Sequence, residues 1–448
     1  MKRTFKVLSI LLALPILLVS IELFSKGVIY AYRNYFSSDI SKKLENESEE
    51  QLKTSNQNTD YLMSSDYINS IAEDMQKLKT KFSSYIVWDL VPLNTKNINI
   101  KSSGLRKNRE DIAAKNADKV IWFLGGLYGW GYKVADNHTI PSLLQDNINA
   151  HFKNKKISVE NRNIFSHQAA QTFLKFKIDL LSEKPDAIIV MNGFDDYKNF
   201  WKYGTIDSLD LHAHTILTKY WNMKQNEEVI DKELLSTKFK MGFFYNSYTL
   251  YNMAKKWKML KDYNALGIDT WKKKHKKIRD EHTKMVMNYF PTYLKFYLST
   301  MEDIANLASN NNIDVMFIQT PMLYGSKKKL LGEELTHYFH VGQAHFALSD
   351  NELSKLKKIP TYQLEATSKL QKKYFFDLEE FISGYAYQAS KLEELSIRKN
   401  VIYHDIKPVV DAERNNVVFN EFSNTTAYGS KLYADSIFKK LLSSNFIK

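Results

Sequence analysis

The feature that most constrains this chain is a recurring alternation of short apolar runs with longer amphipathic ones. "ADKVIWFLGG" (117–126) has the pattern of a buried strand closed by glycines. "TIPSLLQDNINAHF" (139–152) follows with Ile140, Leu143, Leu144 and Ile148 at helical spacing and Pro141 in the first turn, where proline is tolerated. The cycle repeats as "KISVENRN", "SHQAAQTFLKFKIDLLSEK" and "PDAIIVMNGFDD", then resumes at "NNIDVMFIQTPML" and "KNVIYHDIKPVV" before a final helix carrying Leu432, Ile437, Leu441 and Leu442. Strand and helix alternating at this spacing predict a three-layer α/β/α fold, flavodoxin-like, with a central parallel sheet. In such a sheet ligand sites lie at the carboxyl ends of the strands.

Between these cycles, a Lys-rich and aromatic-rich stretch breaks the pattern and reads as a helical insertion at about 198–310. Its aromatics suit helices packing on the core, or a partner surface. The folded domain is expected over 68–448. Residues 37–67 are polar and poor in large apolar side chains, as a stalk would be.

Ahead of the stalk, Lys2, Arg3 and Lys6 precede an almost uncharged apolar run at 7–24, long enough to cross a bilayer as one transmembrane helix. Positive charge on the short leading side places the N-terminus in the cytoplasm and the domain on the periplasmic or extracellular side. Bulky residues continue after the run without a small-residue cleavage site, which favours a retained anchor (1–36) over a removed leader. Tyr30, Tyr32 and Tyr35 suit the membrane interface.

The chain has no cysteine, which excludes thiol catalysis, disulfides and thiolate metal sites. Its net charge of +13 leans towards anionic partners such as phospholipid or acidic glycan. No nucleic-acid motif accompanies that charge, so nucleic acid is not an expected partner. Neither a phosphate-cradling loop nor an H-E-x-x-H pair is present, and the histidines, "HYFH" at 337–340 included, show no convincing ligand spacing. No metal or cofactor is expected.

Taken in order, five segments resemble the SGNH, or GDSL-type, hydrolase family, whose members cleave acyl esters with a serine in the first strand-to-helix turn. "GGLYGWGYKVADNHTIPSLLQ" (125–145) matches the family's first block in frame and puts Leu127 where the serine would stand. "NRNIFSHQAAQ" (161–171) matches the second, with Asn163 in place of the oxyanion-hole glycine. "GFDD" (193–196) matches the third, with Asp195 in place of the asparagine that donates to the oxyanion. "TPMLYGSKKKLLGEEL" (320–335) resembles the fourth. In "NEFSNTTAYG" (420–429), counting back from Gly429 puts Glu421 at the aspartate and Asn424 at the histidine.

The resemblance therefore implies a degenerate, pseudohydrolase-like member that keeps the frame and lacks the nucleophile, and a carboxylate at 195 would repel a developing oxyanion. Other cleft residues by this reading are Tyr128, Trp130, His167 and Asp196; a carboxylate and imidazole cluster could act as acid and base. Three functions follow: a non-catalytic scaffold or binding component of a cell-envelope assembly, with a protein or glycan partner; an acyl esterase or O-acyltransferase on envelope glycans; or a carbohydrate-binding module using the relic cleft. An unrelated doubly wound domain whose glycines serve only tight turns is the alternative to the resemblance itself.

Overall fold

The computed structural model describes residues 65–109, 114–203, 268–331, 334–335, 337–338, 377–420, 423–444 and 446. The chain divides into two units, 55–220 with 276–448 and 1–54 with 221–275. Almost everything described belongs to the first. The expected anchor and most of the expected stalk lie outside the described residues; no helix among the described residues is long and apolar enough to cross a membrane.

Five parallel strands form the central sheet: β5 (Lys119–Gly125), β6 (Ile157–Asn161), β7 (Ala187–Met191), β8 (Asp314–Gln319) and β9 (Ile402–Asp405), in the order β6-β5-β7-β8-β9. The apolar runs are continuous because the strands are covered on both faces: every residue of β7 is buried, as is β5 from Val120 onward. The first crossover runs to one side of β5 and the later ones to the other. Right-handed crossovers then place α3 (Ile140–His151) on one face and α4 (Ala169–Asp179), α6 (Ile268–Asn310) and α7 (Leu378–Arg398) on the opposite one. The closing helix α9 (Ala427–Ser443) joins α3, with Asn147 Nδ2 donating to Asp435 Oδ1 at 2.8 Å and the His151 ring edge-on to Phe438. This is the doubly wound order of flavodoxin-like sheets, with its switch point between β5 and β7.

Both ends of the expected insertion belong to the domain core. Helix α5 (Phe194–Tyr203) buries Phe194, Tyr197, Phe200 and Trp201, and α6 buries Val286, Phe290, Tyr293, Tyr297, Met301, Ile304 and Ala308 at spacings of three and four. Each such side chain stabilises by about 2 kcal/mol on burial, so α6 is a crossover helix of the sheet and not an appendage. The aromatics pack among themselves: Phe200 stacks on Tyr293 at 4.3 Å, and Tyr197 donates to the Phe381 carbonyl at 2.7 Å.

Ahead of the sheet, α1 (Ser65–Gln76) and two short hairpins, β1 (Thr80–Ser83) with β2 (Val87–Leu90) and β3 (Leu93–Asn94) with β4 (Asn99–Ile100), build a small module. Its cluster of Ile71, Leu90, Ile98 and Ile100 closes around Trp130 from the turn after β5. Trp88 reaches the loop after β6, where its Nε1 donates to the Phe165 carbonyl. The module therefore braces two loops at the carboxyl edge of the sheet.

Candidate functional site

The turn after β5 is a single helical turn, α2 (Leu127–Trp130), closed by Gly131 in the left-handed region (φ 90°), whose N–H bonds the carbonyls of Leu127 and Tyr128. Its glycines permit close approach. A Cβ on Gly126 would lie 2.4 Å from the His167 carbonyl, and one on Gly129 would lie 2.1 Å from Asn163 Oδ1. The β5 turn, the loop after β6 and the start of α5 are thus pressed together at the switch point.

What fills the space between them is Asp195. Its Oδ2 accepts from the Leu127 backbone N–H at 3.3 Å, and its Oδ1 meets the Tyr128 hydroxyl at 3.5 Å and Lys198 Nζ at 3.0 Å. A carboxylate in the first turn of α5 also suits the helix dipole. The side chain of Leu127 is buried and carries no nucleophilic atom.

Asn163 is fully buried between the glycines. Its Nδ2 donates to the Phe123 carbonyl and to Asn161 Oδ1, and its backbone N–H also turns back to Asn161 Oδ1 at 3.3 Å. Of the two positions that the family resemblance assigns to the oxyanion, the N–H of 163 is held by a neighbouring amide and residue 195 donates nothing; the N–H of 127 beside them is held by the Asp195 carboxylate.

Asp196 faces away from this contact. Its two oxygens accept from Ala169 N–H at 2.8 Å and Gly193 N–H at 3.2 Å, tying α4 to α5. Burial, with the neighbouring Asp195 charge adding to it, pushes its carboxyl up to about 7. His167 is buried edge-on to Trp88, and its Nε2 donates to the Trp88 carbonyl at 3.0 Å. That acceptor fixes the proton on Nε2, and burial pulls the imidazole down to about 3, so the ring stays neutral. Each of these side chains bonds to backbone: His167 to the N-terminal module through the Trp88 carbonyl, and Asp196 to the N–H groups of Ala169 and Gly193.

Tyr128 and Trp130 are also buried. Tyr128 lies edge-on to Phe194, and Trp130 sits under the Arg106 guanidinium at 4.3 Å and edge-on to Phe165. Asn424 is buried in the loop that enters α9, its carbonyl accepting from Asn420 N–H at 2.9 Å. Glu421 lies outside the described residues. Among the described residues no cluster of three His, Asp or Glu is placed to hold a metal ion. A cavity of about 740 Å³ opens between α6 and the start of α7, lined by Asp280, Thr283, Lys284, Met287, Asp377 and Glu380, and shares no lining residue with the turn.

Sequence reasoning missed Arg106. Fully buried, it donates from Nη1 to the Trp130 and Gly131 carbonyls at 2.9 and 2.6 Å, from Nη2 to the Val134 carbonyl at 2.6 Å and from Nε to Asp136 at 2.8 Å. An arginine within "GLRKN" carries no local mark of burial, because all four acceptors lie about a helix and a loop further along the chain.

No protein-family model matches this sequence, and no curated protein matches it. Among solved structures the chain is similar to a catalytic mutant of Axe2, an acetylxylan esterase from Geobacillus stearothermophilus, at 8% identity over 72% of this chain and 94% of that one, with a TM-score of 0.36. It is also similar to a putative lipolytic protein of the G-D-S-L family from Desulfitobacterium hafniense (11% identity, 72% and 100% of the two chains, TM-score 0.32). A third is LAE5, an alpha/beta hydrolase enzyme from the metagenome of Lake Arreo (8% identity, 72% and 95%, TM-score 0.32).

Proposed function

We propose that this chain is a membrane-anchored, exported domain of SGNH-hydrolase-like fold that does not hydrolyse esters and serves as a scaffold or binding component of a cell-envelope assembly. The observation that carries the loss of catalysis is the Asp195 carboxylate on the Leu127 N–H, braced by Lys198. An oxyanion forming at that turn would meet a resident anion in place of a donor. Loss of one oxyanion donor alone costs about 10²–10³ in rate, and here the nucleophile is absent as well. The anchored, exported placement rests on the basic residues ahead of the apolar run at 7–24. Binding of a glycan in the relic cleft lacks support, since Tyr128 and Trp130 present no open ring face.

The test is hydrolysis of a short-chain p-nitrophenyl ester by the purified full chain beside a Leu127→Ser variant. Both should run at the background rate, because the added hydroxyl finds neither a base nor a free donor. Turnover well above background that Asp195→Asn abolishes would overturn the non-catalytic reading. Sequencing the mature N-terminus checks the anchor separately: it should begin at Met1.

A further inference from the structure

Two non-glycine residues with left-handed backbone stand on the two sides of one contact. Val87, the first residue of β2, has φ 70°, and Ser166, in the loop after β6, has φ 60°. Glycine enters this region freely, whereas a β-branched residue does so only at a cost. At Val87 the Trp88 N–H closes a three-residue turn on the Ile86 carbonyl at 2.9 Å, the rare and strained sense of that turn. At Ser166 the His167 N–H closes a four-residue turn on the Ile164 carbonyl at 3.1 Å, leaving serine at the third position, which glycine or asparagine normally fills.

The contact itself holds both residues in place. Trp88 Nε1 donates to the Phe165 carbonyl at 3.0 Å, His167 Nε2 donates to the Trp88 carbonyl at 3.0 Å, and Gln171 Nε2 donates to the Ile86 carbonyl at 2.9 Å. Trp88 is buried with Ile164, and Val87 packs at the edge of that pair. The hairpin has little other support: β1 and β2 form a two-stranded sheet apart from the central one, and no residue of β1 is fully buried. The loop it grips reaches the turn after β5. Ile164 N–H donates to the Gly125 carbonyl at 3.2 Å, and the His167 carbonyl fills the place that a Cβ on Gly126 would take.

We infer that the tip of the β1–β2 hairpin is a strained clasp: it closes the 164–167 loop onto the turn after β5, and its opening releases the backbone strain at Val87 and Ser166. Strain in the closed state narrows the gap to the open one, so this contact is the part of the sheet's carboxyl edge that opens first. Leu90, buried with Ile71 and Ile98, keeps the base of the hairpin fixed, and the opening is a hinged movement of its tip. The inference stands apart from the loss of catalysis and from the anchor.

Native-state hydrogen exchange of the full chain tests this, read by mass spectrometry on segments 80–90 and 161–168, with the buried strand β7 as the reference for global unfolding. The two segments should exchange together at urea concentrations that leave β7 protected. Val87→Ala gives up packing and keeps the strain, whereas Val87→Gly gives up packing and sheds it. Exchange in both segments should therefore be about fivefold slower in the glycine variant than in the alanine variant, the reverse of the usual order in a strand. The same order should hold for glycine and alanine at 166. Exchange of 80–90 only together with β7 would overturn the clasp, as would opening of 80–90 that leaves 161–168 protected. A glycine variant at 87 that exchanges as fast as the alanine variant would show that no strain is stored there, and would overturn it too.

Discussion

Two buried charged groups brace the carboxyl edge of the sheet, one at each end, and they do so with opposite signs. At the β5 end, Arg106 donates to three carbonyls and to Asp136, holding the chain that leaves α2. At the β8 end, Glu334 accepts from the Val418 and Phe419 N–H groups at 2.8 and 3.0 Å with one oxygen, and from Lys328 at 2.7 Å and Leu331 N–H with the other. Both Lys328 and Glu334 are fully buried, and burial pulls the Lys328 pKa down. The difference follows from the backbone each must satisfy: a turn ending in outward carbonyls needs a cation, and a loop presenting N–H groups needs an anion. At the edge where doubly wound proteins keep ligand-binding groups free, this chain spends its polar groups on holding loops in place.

Removing the brace with most partners should cost most. Arg106→Met strands three carbonyls and a partly buried carboxylate and should lower stability by about 4 kcal/mol, read as the shift in urea midpoint of the full chain. Arg106→Lys, which cannot reproduce the fork, should recover less than half of that loss. A full recovery would mean that charge alone matters at this end and would break the contrast.

A smaller loss is expected at the other end. Glu334→Gln keeps an acceptor for the Val418 and Phe419 N–H groups but leaves Lys328 without its counter-charge, at about 3 kcal/mol. Adding Lys328→Met should restore part of it. If the double variant is no more stable than the single one, the Glu334 contribution lies in its backbone bonds and not in the pair.

The smallest effect is a pH dependence carried by two buried groups near the β5 end, Asp196 and His167. Asp196 has a folded pKa of about 7 against about 3.9 in the unfolded chain, so its contribution is fully present below about pH 4 and is lost as pH rises towards 7. His167 has a folded pKa of about 3 against about 6.5 unfolded, so its contribution is present above about pH 6.5 and is lost as pH falls. Between about pH 4 and 6.5 the two oppose. Asp196→Asn should therefore leave stability rising with pH across that window, and His167→Gln should leave it falling, each by about 1–3 kcal/mol. Urea midpoints across the window that stay parallel to wild type in both variants would remove these groups from the account.

Much of the scaffold was legible locally. The apolar runs at β5 and β7, the helical spacing of Ile140 to Ile148 with Pro141 in the first turn, and the glycines of the turn after β5 are short-range patterns, and the elements stand where those patterns lie. The ends of the expected insertion were not legible, because α5 and α6 bury aromatic faces against each other across a long stretch of chain. His167 illustrates the same limit at the candidate site. The histidine in "FSHQ" reads as a cleft residue able to act as acid or base, yet its ring is claimed by Trp88, 79 positions earlier.

The sequence by itself determined the alternation of strands and helices, the parallel character of the sheet and the absence of a nucleophile at 127. Periodicity and residue chemistry are properties of neighbouring positions. Only the tertiary structure decided that Asp195 lies on the Leu127 N–H and that Arg106 and Glu334 are buried braces. Those depend on which distant backbone groups are left to be satisfied once the sheet has closed, and no short stretch of sequence contains that information.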